Sequence, residues 1–421
     1  MRVHRLRRTD NRPFALVPDR LGAYWTPRVA PGMGWSRFGA TVGFVAAHLD
    51  AAAGVPLHPV AREALAAALA DGWADPDRRY SSAGQARLLL DAARESMAES
   101  LGARPDEISF AANGTQALHA AVLGALAGNR GVAATFVHSA VEHSAVLHAA
   151  QLHAANGGEV ISVPVDRTAR VDVDEFVASI DWAGAAVAAL QAGNHEVGTR
   201  QPASRLAAQI PDVPLVVDGT HAIGHDELPA GWSVLAGDAR MWGGPDLGVL
   251  AVRTGVRWRS PFPDDDHEGG RVPGVPNIPA AVAAAASLRA VLADRDAEAT
   301  RTRALVDHIR TEVSRLVPDV EVLGDPVDRL PHIVTFSCLY ADGEALLAGL
   351  DRRGFAASSG SSCTASTLEP SHVLVAMGAL TSGNIRVSLH PGVSADDVEE
   401  FLIALPEVVA EVRAELGAAG L

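Results

Sequence analysis

The chain has 421 residues, 48% of them hydrophobic and 20% charged, enough to bury one large core or two medium ones. Fifty acidic residues against 35 basic ones give a formal net charge of −15, which argues against a nucleic-acid surface, and 39 glycines with 25 prolines exclude collagen-like and low-complexity classes. All 35 basic residues are arginine, so no side chain of this protein can form a lysine imine. Residues 1–45 are rich in Pro, Gly, Arg and aromatics without a sustained period, and they read as an extension. Arg2, Arg5, Arg7 and Arg8 are not followed by an apolar stretch, so no secretory signal is expected. Helical patterns begin at Leu57 and at Ser82, the second closed by Gly102.

Strand-like and helical runs then alternate. Short apolar, β-branched runs fall at 131–137, 160–163, 185–190, 215–217, 234–235 and 249–252, with helical windows such as 116–126 and 203–209 between them. This alternation predicts a mostly parallel sheet covered on both faces. After Pro279 the pattern changes to two long helices, at 279–293 and 297–316, then strands at 320–322 and 333–336, then helix, strand, helix, strand and helix. The expected organisation is an extension (1–45), a large α/β domain (46–278) and a small α+β domain (279–421). The alanine-rich run 278–288 is too short to span a membrane. Two cysteines, Cys338 and Cys363, make no disulfide scaffold and fit a reducing cytoplasm.

The segment Ser358-Ser359-Gly360-Ser361-Ser362-Cys363-Thr364-Ala365-Ser366 is small, polar and glycine-containing, and it presents one thiol ahead of a helix start at Pro370. By its residues alone it reads either as a reachable thiol or as a small inert side chain in a turn. The loop resembles the catalytic loop of cysteine desulfurases, in the long-loop group of nitrogen-fixation and iron–sulfur enzymes. The resemblance runs from His48 to the C-terminus. In order along the chain, His48-Leu49-Asp50-Ala51-Ala52-Ala53 with Pro56 resembles the family's opening motif. Phe110-Ala111-Ala112-Asn113-Gly114-Thr115-Gln116 is similar to its phosphate-binding segment, and Glu142-His143-Ser144-Ala145-Val146 to the motif whose His stacks on the cofactor ring. Asn194-His195-Glu196-Val197-Gly198, Asp218-Gly219-Thr220-His221 and Ile385-Arg386-Val387-Ser388 complete the set.

The resemblance implies a pyridoxal phosphate (PLP)-dependent transferase fold of type I, with a large, mostly parallel α/β domain and a small C-terminal α+β domain. It implies a homodimer, with a sulfur-donor or sulfur-acceptor protein as partner. Family members take sulfur from L-cysteine and leave it as a persulfide on the loop Cys. Carried over, Cys363 is the persulfide carrier, Arg386 the anchor of the substrate carboxylate and His143 the ring stack. Asp218 partners the pyridinium nitrogen, which keeps the ring an electron sink. Thr115, Asn194, His195 and His221 fall on the remaining cofactor-binding positions.

The pattern breaks at the cofactor lysine. The family's Ser-Gly-His-Lys stretch aligns with Gly237-Asp238-Ala239-Arg240, so the lysine position falls on Arg240, and a one-residue slip supplies no amine. A guanidinium stays protonated at working pH and is a poor nucleophile and base. In this register Gly237 and Ala239 replace the phosphate-contacting Ser and His, and a downstream Thr falls on Val275. Arg240 reads either as a structural cation paired with Asp218 or another acid, or as the grip on an anion. His143, His195, His221 and Cys363 together resemble a zinc ligand set, but histidines are common here (16 residues) and no metal is expected. Asp264-Asp265-Asp266-His267-Glu268 reads as a solvated loop.

Three functions are compatible with these residues. One is a sulfur-handling relative of the desulfurases that relays a persulfide or serves as an inactive subunit, without lysine-dependent PLP chemistry. Another is an active enzyme with non-covalently bound PLP and a histidine base. The third is a binding or scaffold protein reusing the fold.

Overall fold

The computed structural model describes residues 47–131, 134–360 and 370–417. The N-terminal extension and Cys363 with its loop neighbours 361–369 lie outside the described residues.

The described chain opens with a short strand, β1 (Ala47–His48), and two helices, α1 (Pro59–Asp71) and α2 (Ser81–Leu101). Gly102 ends α2 at φ +62°, a left-handed conformation that favours glycine. Strands and helices then alternate: β2 (Ile108–Ala111), α3 (Gly114–Asn129), β3 (Thr135–Ser139), α4 (Ser144–Ala155), β4 (Glu159–Val163), α5 (Val173–Ala183), β5 (Val187–Ala189), α6 (Ala203–Gln209), β6 (Leu215–Asp218), β7 (Val234–Asp238) and β8 (Gly248–Val252). These strands form one seven-stranded sheet in the order β2-β8-β7-β6-β5-β3-β4. The pairs from β4 through β7 are parallel, and β8 runs antiparallel to both β7 and β2. β2 was read in the sequence only as part of a motif.

The C-terminal elements are α7 (Ile278–Leu316), β9 (Val320–Val322), β10 (Ile333–Cys338), α8 (Gly343–Arg352), β11 (Phe355–Ala356), α9 (His372–Met377), β12 (Asn384–Ser388) and α10 (Ala395–Glu415). Here β12-β10-β9 form a three-stranded antiparallel sheet, while β1 pairs in parallel with β11. The N-terminal strand is thus held by the C-terminal part of the chain.

One expectation is corrected. The two helices expected at 279–293 and 297–316 are a single helix of 39 residues. The apolar pattern lapses at Asp294-Arg295-Asp296, but no Gly or Pro breaks the chain there, so the helix continues with a solvated middle. Its beginning (Ile278, Ala281, Ala284, Leu288) packs in the core beneath the large sheet. Val306, Ile309 and Val313 pack in a second core with Phe336, Leu346, Phe401 and Val408. A third cluster between α3, α4 and the sheet is built largely of alanine and valine, whose small side chains let these helices lie close to the strands.

Candidate active site

The large sheet is mostly parallel, and its strand ends open onto one crevice, where ligands bind in open α/β sheets. A cavity of about 200 Å³ lies there, lined by residues that include Gly114, Thr115, His143, His195, His221 and Arg386, with Asp238, Arg240 and Met241 at one side. The structure thus brings together six of the residues read from the sequence: Thr115, His143, His195, His221, Arg240 and Arg386.

The turn from β2 into α3 is fixed by two reciprocal hydrogen bonds. Gln116 N donates to Asn113 Oδ1 (2.9 Å), and Ala112 N donates to Gln116 Oε1 (2.7 Å). Gly114 begins the helix, and it must be glycine: a Cβ there would stand 2.5 Å from Asp238 Cβ and 2.7 Å from Asp238 Oδ2. Asp238 is buried. It receives Arg240 N (2.9 Å) at Oδ1, Arg240 Nη2 (2.9 Å) at Oδ2 and Arg240 Nε at both oxygens (3.3 Å). Arg240 also lies 3.6 Å from Asp246, and its bond to Asp238 holds its guanidinium above the usual arginine range. Arg240 is therefore a paired cation, and its partner is Asp238.

The alternation along β7 explains which side chains face the cavity. Val234 and Ala236 point into the cluster shared with α3, and Asp238 follows on that face. Leu235 points to the opposite core, and Gly237 and Ala239 sit against Ile223 and Gly244. The side chain against the α3 N-terminus is Asp238, with Arg240 paired to it, where the motif register had placed Gly237 and Ala239.

Arg386, on β12, is buried. Its Nη1 donates to His195 O (3.0 Å) and its Nη2 to Asp50 Oδ1 (2.8 Å), while Nε has no partner among the described residues. His143 caps α4, its Nδ1 accepting from Ala145 N (3.2 Å). His195 meets it edge-on (5.2 Å between rings) and lies 6.1 Å from the His221 ring. Among the described residues His195 Nδ1, His221 Nδ1 and Thr220 Oγ1 have no hydrogen-bond partner. Burial holds His195 and His221 well below the usual imidazole range, and the neighbouring histidines and Arg386 add to the effect. Among the described residues the one group with metal-ligand spacing is Asp75, Asp77 and His267, of which Asp77 is exposed and the other two half-buried.

Two residues read from the sequence do not line the cavity. Asn194 is spent on backbone: its Oδ1 accepts from Glu196 N (2.9 Å) and Val197 N (2.8 Å), and its Nδ2 donates to Val141 O (3.1 Å). Asp218, at the end of β6, accepts from Thr220 N (2.9 Å) and shapes the turn that presents His221. Sequence reasoning passed over Asp238 and two buried carboxyls, Glu142 and Glu196. Burial pushes each of these carboxyls up to about 7. Glu142 accepts from Ser139 Oγ (2.6 Å) and Gln191 N (3.0 Å).

Comparison with known proteins agrees with this architecture. The profile of the family "Aminotransferase class-V" matches residues 47–234 and 266–401. Cysteine desulfurase IscS of Dictyoglomus turgidum is 30% identical over 377 residues, covering 87% of this chain and 95% of the relative. A cysteine desulfurase of Trichormus azollae is 31% identical over 376 residues, covering 87% and 94%. A solved NifS-like protein superposes with a TM-score of 0.79 at 23% identity, covering 86% of this chain and 99% of the other. The chain belongs to the class-V aminotransferase family, among the relatives of the cysteine desulfurases.

That family uses PLP. The residues present here do not fit its tethered form: the sequence contains no lysine, and the N-terminus of α3 faces the carboxylate of Asp238. Among the described residues no helix is long and apolar enough to cross a membrane.

Proposed function

We propose that this protein handles sulfur through Cys363 and does not run lysine-dependent PLP chemistry. The observation that carries the reading is the absence of lysine from all 421 residues, alongside a Cys363 segment that resembles the sulfur-carrying loop of the desulfurases. The relatives' names, cysteine desulfurases, support the sulfur side of it.

In this reading Cys363 receives sulfur from a partner instead of generating it. Its thiolate attacks the outer sulfur of a donor persulfide, a new S–S bond forms to Cys363, the donor's S–S bond breaks, and the donor leaves as a thiolate. No net oxidant is required. Arg386 offers a positive, buried end to the cavity for the carboxylate of a small ligand, in competition with Asp50. Arg240 neutralises Asp238. The thiol requires a reducing compartment, and the working form is a homodimer.

The test has two parts. The purified protein is mixed with PLP and L-cysteine and followed by its visible absorbance. It is then exposed to a persulfide-loaded desulfurase and analysed by mass spectrometry after alkylation. The reading expects no cofactor band and one added sulfur on Cys363, lost in Cys363→Ser. A stable band that shifts with L-cysteine would establish cofactor-supported turnover and overturn it.

A further inference from the structure

We infer that Asp238 is a built-in anion that takes the place of a ligand phosphate between the N-terminus of α3 and Arg240, and so bars phosphorylated ligands from this cavity.

Three observations converge on this inference. The first is position. The segment 110–116 that resembles a phosphate-binding motif runs from β2 into α3, and its Gly114 lies within contact of the Asp238 side chain. The first turn of a 16-residue helix carries partial positive charge and favours an anion. The second is complementarity. Arg240 engages both oxygens of Asp238, as a guanidinium engages a phosphate. Asp238 thus pairs with Arg240 and stands against the helix terminus, the two positive groups that a bound phosphate would meet, and it holds that place at no cost in translational entropy because it is tethered to β7. The third is space and charge. Asp238 is buried, and only the missing Cβ of Gly114 admits it. A phosphate in the same place would displace the carboxylate or meet it as a like charge.

This makes Asp238 the residue that sets ligand class: the cavity admits a small polar molecule without a phosphate. With a neutral residue at 238, the α3 N-terminus and Arg240 are released together and form a phosphate site. The inference is independent of the sulfur-carrier reading, which is tested at Cys363.

The experiment uses calorimetric titration of the full-length protein with pyridoxine 5′-phosphate and with pyridoxine. Neither carries an aldehyde, so the missing lysine does not enter. Wild type is expected to bind the phosphorylated compound no more tightly than pyridoxine. Asp238→Ser and the isosteric Asp238→Asn are expected to gain at least about tenfold for the phosphorylated compound alone. Adding Arg240→Ala to either is expected to remove the gain. Preference of the wild type for the phosphorylated compound by about tenfold would overturn the inference. So would the lack of any gain in whichever 238 variant keeps the wild-type circular dichroism spectrum. Retained sulfur uptake at Cys363 alongside either result leaves the two proposals separately decided.

Discussion

Ser371 donates its hydroxyl to Glu196 Oε2 at 2.7 Å, and on the near side of Cys363 Gly360 lies against the same side chain, where a Cβ would stand 2.5 Å from Glu196 Cγ. Gly360 takes φ +74°, so glycine is required there for both backbone and space. One buried carboxyl therefore meets the chain on both sides of the segment that carries the thiol. Its second oxygen, Oε1, has no partner among the described residues.

This contact has a pH signature. The Glu196 carboxyl sits at about 7 when folded, against 4.5 for the ordinary group, because burial disfavours its charge. The folded state holds the proton more tightly between those values, so the contribution is fully present below 4.5 and is lost as pH rises through about 7. Glu196→Gln mimics the protonated form. It is expected to unfold later than wild type at about pH 8, by an order of 3 kcal/mol, with the difference shrinking toward about pH 5. Calorimetric melting at both pH values checks this, and an equal shift at the two would contradict it.

The imidazole cluster has the opposite sign. His195 and His221 are held well below the ordinary 6.5. The unfolded chain binds protons below 6.5 that the folded chain refuses, so their contribution is intact above that value and lost as pH falls below it. A double His195→Asn, His221→Asn variant is expected to lose less melting temperature than wild type between about pH 7 and pH 5.5. Parallel curves for the two proteins would count against the cluster.

Gly114 tests the close approach to Asp238. Gly114→Ala places a methyl 2.5 Å from Asp238 Cβ, and overpacking of this kind destabilises by about 1–3 kcal/mol. The penalty is expected to shrink when Asp238→Gly is combined with it, a coupling that urea melts of the four proteins measure. Additive effects would place the strain elsewhere.

Arg386 is the buried end of the cavity. Removing its charge leaves Asp50 and the His195 carbonyl without their donor, and breaking a buried pair in this way costs about 3–5 kcal/mol. Arg386→Gln is expected to fall in this range, and Asp50→Asn with Arg386→Gln to be less than the sum. Double-mutant melts provide the number.

Much of this was legible in the chain. The apolar runs read at 131–137, 185–190, 215–217 and 249–252 overlap β3, β5, β6 and β8, because strands buried on both faces need continuous apolar side chains. The cavity residues from Thr115 to Arg386 were found through motif order. The orientation at Asp238 was missed because a motif match counts positions, whereas a strand counts faces. Period two from Val234 through Ala236 would have placed Asp238 beside α3. Asn194 was read as a ligand-facing amide, yet its hydrogen bonds all serve a backbone turn, which one residue and its neighbours do not reveal. The continuity of α7 was missed because the apolar period lapses at its middle, and a solvated stretch of helix has no apolar face to read.

α7 acts as an axle between the two cores. No residue from 289 to 301 of this helix, about 58 Å long, is buried, although Val291 and Leu292 rest against the large core and Arg301 donates to Val393 O (2.7 Å). One residue inserted in that stretch would turn one core against the other by about 100° and push them about 1.5 Å apart. The rotational phase between the large sheet and the β12-β10-β9 sheet, which brings Arg386 to His195, is therefore written in the residue count of this stretch.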